Sequence, residues 1–210
     1  MEELLQWINP ETIINKGGIY LLAFVIFAET GLFIGFFLPG DSLLFVAGLL
    51  SSTQPDLLGT NVVVLIATLI SAAILGNLTG YGFGRKVGEA LYNKKDTWLF
   101  KKKYIEMTRN FYDRHGMKAI MLGRFLPFIR TFAPILAGII KMNFKQFFIY
   151  TVIGGIAWIT IFTLLGYFLG QVPGVKENLK WIVIGLIIVT LIPVATTYLG
   201  ERKRMKEKQD

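Results

Sequence analysis

Two stretches of this chain, Asn61–Gly84 and Gln146–Val175, contain no Asp, Glu, Lys or Arg. At 1.5 Å per residue each is long enough, as a helix, to cross roughly 30 Å of hydrocarbon with length left for tilt. A third stretch, Trp181–Gly200, is uncharged between Lys180 and Glu201, and Pro193 is expected to kink it, not end it. With 53% hydrophobic and only 17% charged residues, the chain is expected to be an integral membrane protein. Such a pattern excludes a soluble enzyme, a disordered tail and a nucleic-acid-binding domain.

The charges fall in blocks. Ten of the 22 basic residues lie between Arg85 and Lys118 and five follow Gly200, which accounts for much of the net charge of +8. By the positive-inside rule both blocks are cytoplasmic, so the C-terminal tail, 201–210, is placed inside. The acidic start, Met1-Glu2-Glu3, predicts no cleaved secretory signal. If the last helix, 181–200, ends inside, the 146–170 helix before it must begin inside, near Lys141 and Lys145. Lys118 is inside as well, so residues 119–140, broken by Pro127 and Pro134, start and finish on one face. They are expected to form a re-entrant hairpin, whose non-helical backbone must be buried in protein or line a wet cavity.

The first half offers a counterpart. From Gly17 to Pro55 only Glu29 and Asp41 are charged, and one helix of that length would run roughly 58 Å, nearly twice the hydrocarbon thickness. It must bend at Pro39-Gly40. Leu21–Leu38 and Leu43–Leu50 are read as two arms of a hairpin, 19–50, with Gly40-Asp41-Ser42 starting the second arm. A full span followed by a half-helix is the competing geometry. Ala47-Gly48-Leu49-Leu50 recurs as Ala137-Gly138-Ile139-Ile140, and Gly80-Tyr81 as Gly166-Tyr167, at offsets of 90 and 86.

The expected architecture is therefore all-α, a single membrane domain built as an inverted repeat. Residues 17–90 hold the first hairpin and the helix 61–84, and 117–175 hold the second hairpin, 119–140, and the helix 146–170; the transmembrane helix 181–200 follows. Transporters with such repeats place their sites between the halves near the midplane. Between the repeats, Phe100, Tyr104, Met107 and Phe111 share one face of an amphipathic stretch, 97–116, suited to the cytoplasmic interface. Its lysines either attract anionic headgroups or serve only as topology determinants.

Glu29, Asp41, Arg124 and Arg130 are ionisable residues inside otherwise apolar broken segments. Each costs roughly 2.5–3.5 kcal/mol at the centre of a membrane helix, which makes each a functional candidate. The structural alternative is that the acids pair with the arginines and pin the hairpins together. In the functional reading the arginines contact an anionic headgroup and a carboxylate gains and loses a proton. Gly76, Gly80, Gly84 and Gly88 form a ridge at four-residue spacing, most simply a packing surface. Pro39, Gly40, Pro127 and Pro134 are read as hairpin tips.

Enzyme signatures and cofactor motifs are absent from the sequence: there is no H-E-x-x-H, G-x-S-x-G or Walker lysine. Zero cysteines and one histidine, His115, leave no thiolate or histidine metal centre to build. No cofactor is expected.

The motifs Phe27-Ala28-Glu29-Thr30-Gly31, Phe37-Leu38-Pro39-Gly40-Asp41-Ser42, Gly123-Arg124-Phe125-Leu126-Pro127, Arg130-Thr131-Phe132-Ala133-Pro134 and Gly154-Gly155-Ile156-Ala157-Trp158 resemble the bacterial DedA family, relatives of the VTT-domain lipid scramblases. The resemblance covers about Gly17 to Gly170. It implies a multi-pass protein of the bacterial inner membrane, with two opposed re-entrant hairpins, that moves undecaprenyl phosphate or phospholipids between leaflets, in some members with proton coupling. By the resemblance, Glu29, Asp41, Arg124 and Arg130 stand at positions the family depends on. The expected partners are thus membrane lipids and protons, not nucleic acid. The alternatives are a less selective phospholipid scramblase, a proton-coupled antiporter for small cations or drugs, and a structural role without transport.

Overall fold

The computed structural model describes residues 10–32, 40–92, 127–175 and Gly185. Every regular element among them is helical: α1 (Pro10–Gly31), α2 (Gly40–Thr53), α3 (Pro55–Leu58), α4 (Val62–Tyr92), α5 (Pro127–Ile139) and α6 (Phe144–Gly170). The tip residue Pro39, the candidate Arg124, the amphipathic stretch 97–116, the transmembrane segment 181–200 apart from Gly185, and the tail 201–210 lie outside the described residues.

Helices α4 and α6 are the two that are long and apolar enough to cross a membrane among the described residues. Both start on an asparagine. Asn61 Oδ1 accepts the Val64 N–H at 2.9 Å, and Asn143 Oδ1 accepts that of Gln146 at 3.2 Å, satisfying N–H groups that have no partner within the helix. Two residues ahead of each asparagine the chain turns through left-handed backbone, at Gly59 (φ 59°) and Lys141 (φ 55°). The uncharged run stops at Gly84, yet α4 continues through Arg85 and Lys86 to Tyr92. Charge ends a hydrophobic stretch but not a helix, and Glu89-Ala90-Leu91 are good helix formers.

Three shorter helices pack on these two. α1 is interrupted at Gly18, whose φ of 54° and ψ of −147° leave helical space. Its remaining arm, from Ile19 to Gly31, starts where the first hairpin is expected to start. α2 runs three residues further at each end than the expected arm, and α5 begins at Pro127. Pro134 is no tip: it is buried within α5, with Gly80 of α4 facing it. Tertiary packing holds the helix through the proline, which has no N–H to give to the carbonyl of Arg130, four residues back.

The glycine ridge on α4 is a packing surface. A Cβ on Gly76 would overlap Thr30 of α1, one on Gly84 the carbonyl of Ile135, and one on Gly88 would crowd that of Ile139. On α6, Gly166 meets the carbonyl of Phe45, and Gly170 faces that of Leu49. Likewise Gly138 of α5 lies against the Tyr81 carbonyl of α4, and Gly48 of α2 against the Thr163 carbonyl of α6. Each short helix thus grips a long helix distant in sequence, with matching residues: the α2 and α5 partners differ by 90 and the α4 and α6 partners by 82. The second figure is one helical turn from the 86 that Gly80 and Gly166 suggest. A Gly-Tyr match on adjacent turns of a regular helix does not separate registers four residues apart.

The core is Leu22 and Ile26 of α1, Leu43, Leu44 and Leu49 of α2, Leu65 and Leu69 of α4, and Trp158 and Ile159 of α6, all fully buried. Outward-facing positions stay apolar: Tyr20, Phe24, Val63, Leu75, Phe83, Ile153, Leu165 and Phe168 are exposed. Such a surface suits hydrocarbon surroundings.

Candidate functional site

α1 ends beside the middle of α4, where a Cβ on Gly31 would overlap the carbonyl of Gly76. One residue before α1 ends, Thr30 hydrogen-bonds back to the Ile26 carbonyl at 2.8 Å, which turns its polar group to its own backbone. Its neighbour Glu29 points inward and is 1% exposed. α2 starts in the same place: a Cβ on Gly40 would collide with the Glu29 carboxylate, so only glycine fits there. Asp41, in the first turn of α2, and Arg130, in the first turn of α5, complete the group.

Arg130 is 4% exposed and binds both acids. Its Nη1 donates to Asp41 Oδ1 at 2.5 Å and its Nη2 to Glu29 Oε1. The same Asp41 oxygen accepts the indole N–H of Trp158 at 2.7 Å, while the Arg130 guanidinium lies 4.2 Å from the centroid of the Trp158 ring. Trp158 sits close to the middle of the 27-residue α6. Two acids, one guanidinium and one indole, contributed by α1, α2, α5 and α6, therefore meet deep among the helices. Among the described residues, two atoms of this cluster have no hydrogen-bond partner: Glu29 Oε2 and Arg130 Nε.

Of the four charged candidates the fold brings together Glu29, Asp41 and Arg130, and Gly40 joins them by making room for the Glu29 carboxylate. Asp41 Oδ1 serves both Arg130 and Trp158. Pro127 opens the helix that carries Arg130. Trp158 is a site residue that charge-based reasoning does not find. Its signal is position, because tryptophan favours the membrane interfaces and one at mid-span needs an acceptor for its N–H. Buried Asn77, which bonds to the Ala73 carbonyl at 2.6 Å, is a second polar residue in the middle of α4 that carries no charge to announce it.

Chemically, an arginine held between two carboxylates is a partnered charge, and the pairing is open to exchange: an entering anion can replace an acid, or a proton can neutralise one.

The sequence pattern of the VTT domain matches residues 38–168. The chain is 44% identical over 173 residues to the protein DedA of Escherichia coli K12, covering 82% of this chain and 78% of that one. It is 40% identical over 188 residues to a membrane protein of Mycobacterium leprae, covering 89% and 82%. To the inner membrane protein YghB of Escherichia coli K12 it is 35% identical over 184 residues, covering 87% and 82%. No solved structure matches. The matched region takes in Asp41, Arg130 and Trp158, and with it the two long apolar helices; the chain belongs to the DedA family of VTT-domain membrane proteins.

Proposed function

We propose that this protein is a translocase that carries a phosphate-bearing lipid, undecaprenyl phosphate foremost, between the leaflets of the bacterial inner membrane, as a carrier and not as an enzyme. The observation that supports this reading most is the meeting of Glu29, Asp41 and Arg130 where α1 ends and α2 and α5 begin, level with the middles of α4 and α6. The arm of α1 after Gly18, α2 and α5 rise roughly 20 Å each, too short to span and long enough to reach the midplane. Two re-entrant hairpins with opposed tips account for that geometry. The matched contacts of α5 on α4 and α2 on α6 support an inverted repeat, in which the site between the halves is reached from either side in turn.

In this scheme the phosphate crosses at the arginine cluster while the hydrocarbon chain stays in lipid. Arg130, joined by Arg124, offers planar donors that match phosphate oxygens. A carboxylate released from its arginine takes up a proton, so a proton gradient biases the distribution of cargo. The C-terminus and the 85–118 segment face the cytoplasm. A second reading, proton-coupled antiport of small cations, draws on the excess of two carboxylates over one guanidinium among the described residues.

The test is purified protein in liposomes with a leaflet-selective readout of undecaprenyl phosphate, phosphatidylglycerol and phosphatidylethanolamine. Undecaprenyl phosphate is expected to move fastest, and Arg130→Lys to slow it while the protein still inserts. Equal rates for all three lipids would point to a general scramblase. Ion flux without lipid movement would replace the proposal by antiport.

A further inference from the structure

The two acids hold Arg130 in different ways. Asp41 Oδ1 receives two donors from two helices, Arg130 Nη1 at 2.5 Å and Trp158 Nε1 at 2.7 Å. The Trp158 ring also carries the guanidinium on its face, so indole, acid and arginine form a closed triangle. Glu29 meets one side-chain donor among the described residues, Arg130, with the backbone of Gly40 beside its carboxylate. Its Oε1 accepts from Nη2, and its Oε2 finds no donor among the described residues and lies against Gly40.

The covalent geometry of arginine makes this asymmetry meaningful. In a guanidinium the Nε–H and one Nη2–H point the same way and form an edge that takes two oxygens of one oxyanion. On Arg130 that edge is half used: Nη2 serves Glu29, while Nε is buried and has no acceptor among the described residues. A buried guanidinium N–H without a partner carries a desolvation cost that a two-oxygen ligand removes and a single carboxylate oxygen does not.

We propose that Glu29 is the exchangeable partner of Arg130 and that a phosphate group takes its place on the Nε–Nη2 edge, while Asp41, held by Trp158, stays as fixed backing. This inference rests on the phosphate-lipid reading above and divides its labour: Glu29 leaves and returns, and Trp158 is a positioning residue that keeps Asp41 and the guanidinium in register. Replacing a carboxylate by a phosphate keeps two anions on the arginine, and the displaced Glu29 carboxylate takes up a proton, as in the transport scheme above, so neither charge is stranded. Gly40 fits the scheme, because a side chain there would occupy the space of the Glu29 carboxylate.

The test compares Glu29→Gln, Asp41→Asn and Trp158→Phe with the unmodified protein in detergent, titrated with dioleoyl phosphatidic acid in one arm and inorganic phosphate in the other. Tighter binding of phosphatidic acid identifies a lipid headgroup as the source of the phosphate; equal or tighter binding of inorganic phosphate identifies the free ion. Glu29→Gln removes the competing anion and is expected to tighten binding about tenfold. Asp41→Asn and Trp158→Phe, the latter keeping the ring but losing the N–H, are expected to weaken it by on the order of tenfold. The Trp158 indole N–H resonance in 15N-tryptophan-labelled protein, assigned by its loss in Trp158→Phe, supplies a readout that needs no cargo. It should move in Asp41→Asn and stay in place in Glu29→Gln. The assignment is overturned if the two acid variants shift binding alike, if the indole resonance responds equally to both, or if no phosphate binds at all. Tightening in Glu29→Gln without lipid movement by the unmodified protein would sink the transport reading and leave the assignment standing; lipid movement with indistinguishable acid variants would do the reverse.

Discussion

Removing the arginine from between its two acids should destabilise the protein more than any other single change in the cluster. In Arg130→Met the side chain keeps much of its length and its apolar stem, so the packing loss is small. What it leaves is Glu29, 1% exposed, and Asp41, partly buried, with no cation within reach among the described residues. Breaking a buried ion pair by deleting one partner costs roughly 3–5 kcal/mol, because the other charge stays buried and uncompensated. For a chain of this size 1 kcal/mol corresponds to roughly 2–4 °C in midpoint, so the apparent Tm should fall by about 6–20 °C. Thermal unfolding in detergent, followed by loss of the monodisperse peak in size-exclusion chromatography, measures it. The decisive arm is the triple variant Arg130→Met, Glu29→Gln, Asp41→Asn. With the stranded charges neutralised it should recover most of the loss, as replacement of a whole buried ion pair is near neutral where deletion of half is not. If Arg130→Met unfolds within 2 °C of the unmodified protein, roughly the 1 kcal/mol scale set above, or if the triple variant is no more stable than it, the cluster is not the buried, mutually compensated unit described.

Other expectations follow from single contacts. Gly48→Val places a branched side chain into the carbonyl of Thr163 and should separate α2 from α6, at a cost of about 1–3 kcal/mol or more, whereas Gly82→Ala, with open space around it, should be neutral or gain up to about 1 kcal/mol of helix propensity; the same unfolding assay reads both. Tyr81→Phe keeps the stack on Phe147, 4.6 Å between centroids, but loses the 2.6 Å bond to the Met142 carbonyl, for a loss of about 0.5–1.5 kcal/mol. Cysteines placed singly at Lys118 and Lys141 of this cysteine-free chain should both react with an impermeant thiol reagent from the cytoplasmic face; labelling from opposite faces would exclude the second hairpin.

What the sequence announces, and what it hides, follows from how each residue reveals itself. A charge inside an apolar run is conspicuous because of its transfer cost, which is why Glu29, Asp41 and Arg130 are legible before any coordinates, and why their meeting is reasonable once two acids and an arginine share one depth. Trp158 is silent by the same criterion: it carries no charge, and only its place in the Gly154–Trp158 motif and the rarity of a mid-span indole mark it. The two long helices are legible in their uncharged centres but not in their ends, since Arg85 and Lys86 continue α4 as readily as they would leave it. Pro134 misleads because a proline reads as a break, while inside α5 the cost of the lost hydrogen bond is offset by packing against α4. The internal similarity of the short helices at offset 90 is visible in Ala47-Gly48 and Ala137-Gly138. For α4 and α6 the register is carried instead by Asn61 and Asn143 and the left-handed turns before them, which no hydrophobic pattern displays.

The separation of the cluster's members along the chain bears on how the protein is made. Arg130 is 101 residues after Glu29 and 89 after Asp41, and Trp158 is 117 after Asp41. At about 5–20 residues per second of synthesis, both acids leave the ribosome roughly 4–20 s before the cation that neutralises them. Through that interval α1 and α2 have no α5 or α6 to lie against, and their acids wait either in neutral form or outside the hydrocarbon. The first half is thus held in an unfinished state by the order of translation, and settles only when the second half arrives to clasp it.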